Sequence, residues 1–258
     1  MLRRAMIVVL ALLVCAGLAQ AQNKTYEADD VRLLQTFFED APIAASPYAE
    51  GFFQYSSSNF FSAIDISAQA AFPIPGAPNL QIGGGWGFRS LNPDNDTFGN
   101  ASGESGITDV TVSGRYQVLP GQTPISVGAL LTLPIGSEDI GESAFDFGFF
   151  GSMRHNFPSG LAITGTFGLQ FIEVQSFGNN SDRETAALIA GGVIYPLPQS
   201  DLSIIGEFDL KTKGDYALLT GGVDYKLKGP GRLRGGIGVG LDDGAPDFAF
   251  RFGYLMGF

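Results

Sequence analysis

From residue 49 onward, apolar and polar positions alternate in segments of about ten residues. In 247–258 the even positions are Phe248, Phe250, Phe252, Tyr254, Met256 and Phe258, and the odd ones are Ala249, Arg251, Gly253, Leu255 and Gly257. A strand projects successive side chains to opposite faces, so this stretch predicts a strand lying between an oily phase and a mixed interior. Twelve such segments are predicted, near 49–57, 62–73, 79–90, 106–118, 123–134, 143–156, 160–173, 185–196, 201–212, 214–227, 231–241 and 247–258. Charges keep to one face: Asp109 and Arg115 oppose Val110, Val112 and Tyr116, Asp146 and Arg154 oppose Phe145, Phe147 and Phe149, and Glu207, Asp209 and Lys211 oppose Ile204, Phe208 and Leu210. A charge on a lipid face near the midplane costs about 2–4 kcal/mol, so lipid enforces this segregation. A soluble barrel would place its charges outside and pack its aromatic side chains in a small interior. The pattern predicts an all-β fold: a transmembrane antiparallel β-barrel of the bacterial outer membrane, with about 12 strands over 49–258.

The connections agree. Pro73-Ile74-Pro75-Gly76-Ala77-Pro78, Leu119-Pro120-Gly121-Gln122, Phe157-Pro158-Ser159-Gly160, Pro196-Leu197-Pro198-Gln199 and Lys228-Gly229-Pro230-Gly231 are short and rich in Pro and Gly. The alternate set is more polar and acidic, with its longest members at 91–105, 135–142 and 174–184. Short periplasmic turns opposite longer external loops are the asymmetry of such barrels. Phe258 ends the last strand on the short-turn side and resembles a terminal aromatic assembly signal, which implies the barrel-assembly machinery and outer-membrane lipid as partners.

Residues 1–21 read as a signal peptide: Arg3 and Arg4, an apolar run, then Ala19-Gln20-Ala21 as cleavage site. Removing them removes Cys15, the single cysteine, and leaves 13 basic against 26 acidic side chains, a net charge of −13. Disulfide chemistry and nucleic-acid binding are therefore not expected. Residues 22–48 form a separate N-terminal segment. Asp30 caps a predicted short helix over 31–41, with Val31, Leu34, Phe38 and Ala41 on one stripe and Leu33 and Phe37 beside it, stopped by Pro42 and Pro47. It either packs on the barrel rim or enters the lumen as a plug carried by Leu33, Leu34, Phe37 and Phe38.

Strand parity turns Asp65, Arg89, Asp109, Arg115, Asp146, Arg154, Glu207, Asp209, Lys211, Asp224, Lys226, Arg232, Arg234 and Arg251 toward the lumen. They serve either as structural networks or as a selectivity lining, with Arg232, Arg234 and Arg251 as an anion-attracting patch. Gly83, Gly85 and Gly87, and Gly236, Gly238 and Gly240, share those faces and either leave room for a solute or relieve crowding. The single histidine, His155, has lipid-facing parity near a short turn and is expected to snorkel to the interface. Paired carboxylates such as Glu207 and Asp209 are compatible with aspartyl chemistry, but nothing in their spacing requires it. Glu138 and Asp139 with Glu142, and Asp94 with Asp96, read as solvated loop charges. No metal or cofactor signature is present, so none is expected.

The run Gly106-Ile107-Thr108-Asp109-Val110-Thr111-Val112-Ser113-Gly114-Arg115-Tyr116 is similar to the G-x-x-D-V-x-L-G-x-K-Y strand of an outer-membrane family named for the MetA pathway of phenol degradation. Leu133-Pro134-Ile135-Gly136 follows where that family has L-P-T-G, with Ile135 replacing Thr. Asp146-Phe147-Gly148 and Gly240-Leu241-Asp242-Asp243-Gly244-Ala245-Pro246-Asp247 complete the match over roughly 60–258. The resemblance implies a channel or transporter for small, hydrophobic or aromatic solutes and not an enzyme. The alternatives are a structural or ligand-binding barrel without transport and, further off, a barrel-embedded hydrolase.

Overall fold

In the computed structural model, residues 31–93, 102–141, 144–176 and 180–258 are described. The strands are β1 (Tyr48–Ser57), β2 (Phe61–Ile74), β3 (Ala77–Pro93), β4 (Glu104–Ile107), β5 (Val110–Leu119), β6 (Ile125–Leu133), β7 (Asp146–Asn156), β8 (Ala162–Ser176), β9 (Asn180–Pro196), β10 (Leu202–Lys211), β11 (Tyr216–Lys226), β12 (Gly231–Gly240) and β13 (Phe248–Gly257). Each pairs antiparallel with its neighbours, and β1 pairs with both β2 and β13, which closes the sheet. β4 and β5 pair with successive parts of β3, Phe88 opposite Ile107 and Gly85 opposite Thr111. The one-residue offset between those pairs makes β4 and β5 two pieces of one bulged wall strand. The barrel therefore has twelve wall strands, as the alternation predicts.

Lipid-facing parity is plain in β13, where Phe248, Phe250, Phe252 and Tyr254 are exposed while Ala249, Arg251 and Leu255 are buried. In β7, Phe149 and Met153 are exposed against buried Asp146, Ser152 and Arg154. Closure satisfies the wall's backbone groups without water, which a membrane interior demands. The 174–184 connection is shorter than expected, because β8 and β9 continue their ladder outward to Ser176 opposite Asn180. Phe258 lies beyond the end of β13, donates its amide to Pro47 O and buries its ring against Phe72 at 6.2 Å.

The helix predicted over 31–41 does not form; 31–47 is an irregular chain with one turn at 37–39. The apolar stripe is real, but the backbone groups that a helix would pair internally find partners on the barrel wall. Residues 1–30, including the signal segment and Asp30, lie outside the described residues, as do Asp94, Asp96 and Glu142.

Candidate functional site

Residues 31–44 cross the barrel interior at its short-turn end, where the chain then enters β1. Most of this inner segment is buried: Val31, Arg32, Leu33, Leu34, Phe37, Asp40 and Ala41 are all at 2% exposure or less. Glu207 of β10 accepts hydrogen bonds from the amides of Leu34, Gln35 and Thr36, at 2.8, 2.9 and 2.8 Å, and from Thr36 Oγ1 at 2.8 Å. Opposite, Arg115 donates to the carbonyls of Phe38, Asp40 and Pro42, and Ser126 to that of Ala41. Ser152 and Thr166 donate to Glu39 O, Arg154 to Val31 O, and Arg234 to the carbonyls of Arg32 and Leu33. A chain without regular structure can be buried only if its amides and carbonyls are paired, and this wall supplies the partners.

Packing matches the hydrogen bonding. Leu34 Cδ1 would lie 2.5 Å from a Cβ on Gly222 and 2.6 Å from one on Gly236, and Leu33 Cδ2 2.6 Å from one on Gly192. Phe38 lies over Gly83 and Gly85, at 3.0 and 3.3 Å from their would-be Cβ atoms. Phe37 clusters with Tyr48, Ala71 and Leu255. The inward glycines Gly83, Gly85 and Gly236 are thus sockets for the segment's own side chains. Gly87 faces Ser67, Gly238 faces Leu218 and Ala249, and Gly240 faces the Pro246 carbonyl.

Ion pairs tie the wall to itself and to the segment. Arg234 meets Glu50 at 3.0 Å and Asp224 at 3.1 Å, Arg232 pairs with Asp224, and Arg251 meets Glu50 at 3.0 Å while its guanidinium lies 3.6 Å from the Phe52 ring centre. The three arginines of the predicted patch are therefore together, and each has a buried carboxylate beside it. Asp40 of the segment meets Arg154 at 3.4 Å and Arg32 at 3.5 Å. Burial pushes the Asp40 carboxyl up, but Arg154, Arg32 and Arg115 outweigh it and hold the pKa below the ordinary value.

On the long-loop side of the segment, a cavity of 510 Å³ occupies the lumen, with Gln35, Phe38 and Glu39 of the segment among its lining residues. Its wall includes Phe52, Gln54, Asp65, Trp86, Arg89, Asp109, Leu130, Asp146, Gln170, Lys211 and Arg251. Arg89 pairs with Asp65 at 2.6 Å, Asp109 accepts the Gly136 amide, and Asp146 accepts the Glu173 amide, each at 2.8 Å. Asp209, 4% exposed, has neither carboxylate oxygen hydrogen-bonded among the described residues. His155 sits at the short-turn edge, with Thr123 Oγ1 2.6 Å from Nδ1 and the Phe157 ring 4.5 Å away. Sequence parity did not single out Glu50, although three lumen arginines on the adjoining strands β12 and β13 required carboxylates. Arg32 and Asp40 were equally unmarked.

A family model described as "Putative MetA-pathway of phenol degradation" matches residues 53–258, most of the chain and nearly the whole barrel. The chain belongs to that family. Among solved structures, the COG4313 outer membrane channel from Pseudomonas putida F1 is similar, with a TM-score of 0.65 at 13% identity over 88% of this chain and 100% of that one. The NanC porin matches with a TM-score of 0.57 at 11% identity, over 83% of this chain and 100% of its own, and the KdgM porin with 0.54 at 11%, over 81% and 99%. At these identities the likeness establishes the outer-membrane barrel fold. No curated protein matches the chain.

Proposed function

We propose that this member of the family is an outer-membrane channel for small, hydrophobic or aromatic solutes, that residues 1–21 are cleaved on export, and that residues 31–47 hold its closed state as a plug. The observation that carries this reading is the division of the lumen: one end filled by the chain's own N-terminal segment, the other a 510 Å³ chamber of mixed apolar and polar lining. That volume is within the range of about 300–1,000 Å³ that small-molecule sites occupy. The family description and the likeness to an outer membrane channel support the same reading. No catalysis is invoked, since Glu207 is engaged by the inner segment and His155 lies at the edge of the barrel. Phe258 is the element offered to the assembly machinery, and lipid covers the exposed aromatic face.

A second reading is a ligand-binding or structural barrel without transport, favoured by the commitment of Arg115, Arg154 and Arg234 to the segment. Single-channel recording of the refolded mature protein in planar bilayers, alone and with residues 26–45 deleted, separates the two. We expect discrete openings that an aromatic solute blocks, and a higher conductance in the deletion. A correctly folded deletion barrel with unchanged or no conductance would overturn the plug and favour the second reading.

A further inference from the structure

Most charges on the chamber wall are engaged by wall or backbone groups. Among the described residues Lys211 and Glu39 are the exceptions: the Lys211 ammonium lies 5.6 Å from the Tyr216 ring centre with no described carboxylate in ion-pair range, and the Glu39 carboxyl hydrogen-bonds no other described side chain. Both line the chamber, one from the end of β10 and one from the inner segment, and the backbone carbonyl of Glu39 is fixed by Ser152 and Thr166. Apolar surface lines the same chamber: Phe38 on the segment, and Phe52 of β1 beneath the Arg251 guanidinium. An unpaired ammonium beside aromatic surface is chemistry for an organic anion with an apolar body.

We propose that the chamber binds a small organic monoanion, its charged oxygen at Lys211 beside Glu39 and its apolar body against Phe38 and Phe52. The proposal names a substrate class for the channel and rests on that reading only in requiring that solutes reach the chamber.

Glu39 makes the site pH-dependent. Burial raises its pKa to about 7; Lys211 and Arg115 pull it down, Glu207 pushes it up, and Asp209 faces the same group of charges. Below that value Glu39 is neutral and the ammonium is left for the ligand. Above it the Glu39 carboxylate competes for Lys211 and repels an anion.

Isothermal titration of the mature protein in detergent with benzoate and with benzyl alcohol, at pH 6 and pH 8.5, tests this. Benzoate affinity is expected to fall about tenfold or more from pH 6 to 8.5, a coupling of ordinary size, while benzyl alcohol is unaffected. Glu39→Gln should sharply reduce the pH dependence, leaving at most what Asp209, which lies in the field of Lys211, contributes. Lys211→Met should lose benzoate about tenfold at pH 6 yet keep benzyl alcohol, which shows that the chamber is intact. Benzoate binding that ignores Lys211→Met, a pH dependence that survives Glu39→Gln undiminished, or no heat with benzoate would each overturn the proposal. Benzoate behaving as expected in a barrel that never conducts would instead overturn the channel reading and leave this site standing.

Discussion

The two ends of the lumen solve opposite problems with the same residue types. At the short-turn end, Arg115, Arg154 and Arg234 donate to the backbone of the inner segment, and Glu50 and Asp224 sit against the arginines of β12 and β13. At the long-loop end, Lys211 and Glu39 face a cavity. Burying a charge is tolerable only when it is paired, so the first arrangement holds a fixed structure and the second leaves groups for something that comes and goes. The comparison also explains why an irregular segment can fill a barrel: its order is imposed by the wall, through Glu207 on one side and Arg115 on the other.

The largest expected effect comes from breaking the filled end. Arg234→Met leaves Glu50 and Asp224 short of a partner and frees the carbonyls of Arg32 and Leu33. Removing one member of a buried ion network costs about 3–5 kcal/mol. The variant should unfold at lower urea concentration than Lys211→Met, its counterpart at the open end, by a margin of that order. Equal midpoints would mean that the two ends do not differ as described.

A smaller effect tests the glycine sockets. Gly236→Ala places a methyl group 2.6 Å from Leu34 Cδ1, against the flexible end of a side chain. Overpacking of this kind costs about 1–3 kcal/mol. Seating of the segment should weaken, read as faster tryptic cleavage at Arg32, which is fully buried when the segment is in place. Adding Leu34→Ala should restore part of the protection by vacating the space. No recovery in the double variant would place the damage in the wall itself.

Much of this architecture was legible because lipid is an unforgiving solvent: Phe248, Phe250, Phe252 and Tyr254 face it, and Arg251, displaced by one residue, cannot. The closing of the sheet and the turn asymmetry follow from the same alternation. The inner segment was not legible in form. Val31, Leu34, Phe38 and Ala41 have helical spacing, but whether such a stripe coils or extends depends on what pairs its amides, and Glu207 lies 171–173 residues away in sequence. Gly83, Gly85 and Gly236 were visible as a face without side chains, while the fact that Phe38 and Leu34 occupy it is a property of the assembled barrel. The bulge between β4 and β5 was hidden because Thr108 and Asp109 continue a regular alternation across it.

The finest test of the comparison is the boundary itself, where Glu39 and Asp40 are consecutive yet belong to different ends. Asp40, surrounded by Arg154, Arg32 and Arg115, titrates below its ordinary value of 3.8, so its contribution is complete above that pH and is lost only as pH falls further, through the folded value. Glu39, raised from 4.5 to about 7, binds more protons in the folded state, so its contribution is complete below about 4.5 and declines as pH rises through about 7. Of these two carboxyls only Glu39 changes between pH 5 and 8, and seating of the segment should loosen with rising pH. Tryptic cleavage at Arg32, taken as the ratio of wild type to Glu39→Gln at each pH so that the protease's own pH profile cancels, should increase modestly from pH 6 to pH 8. A flat ratio would mean that the charge on Glu39 does not weaken seating, and the boundary between the two ends would then have to be drawn on the far side of Glu39.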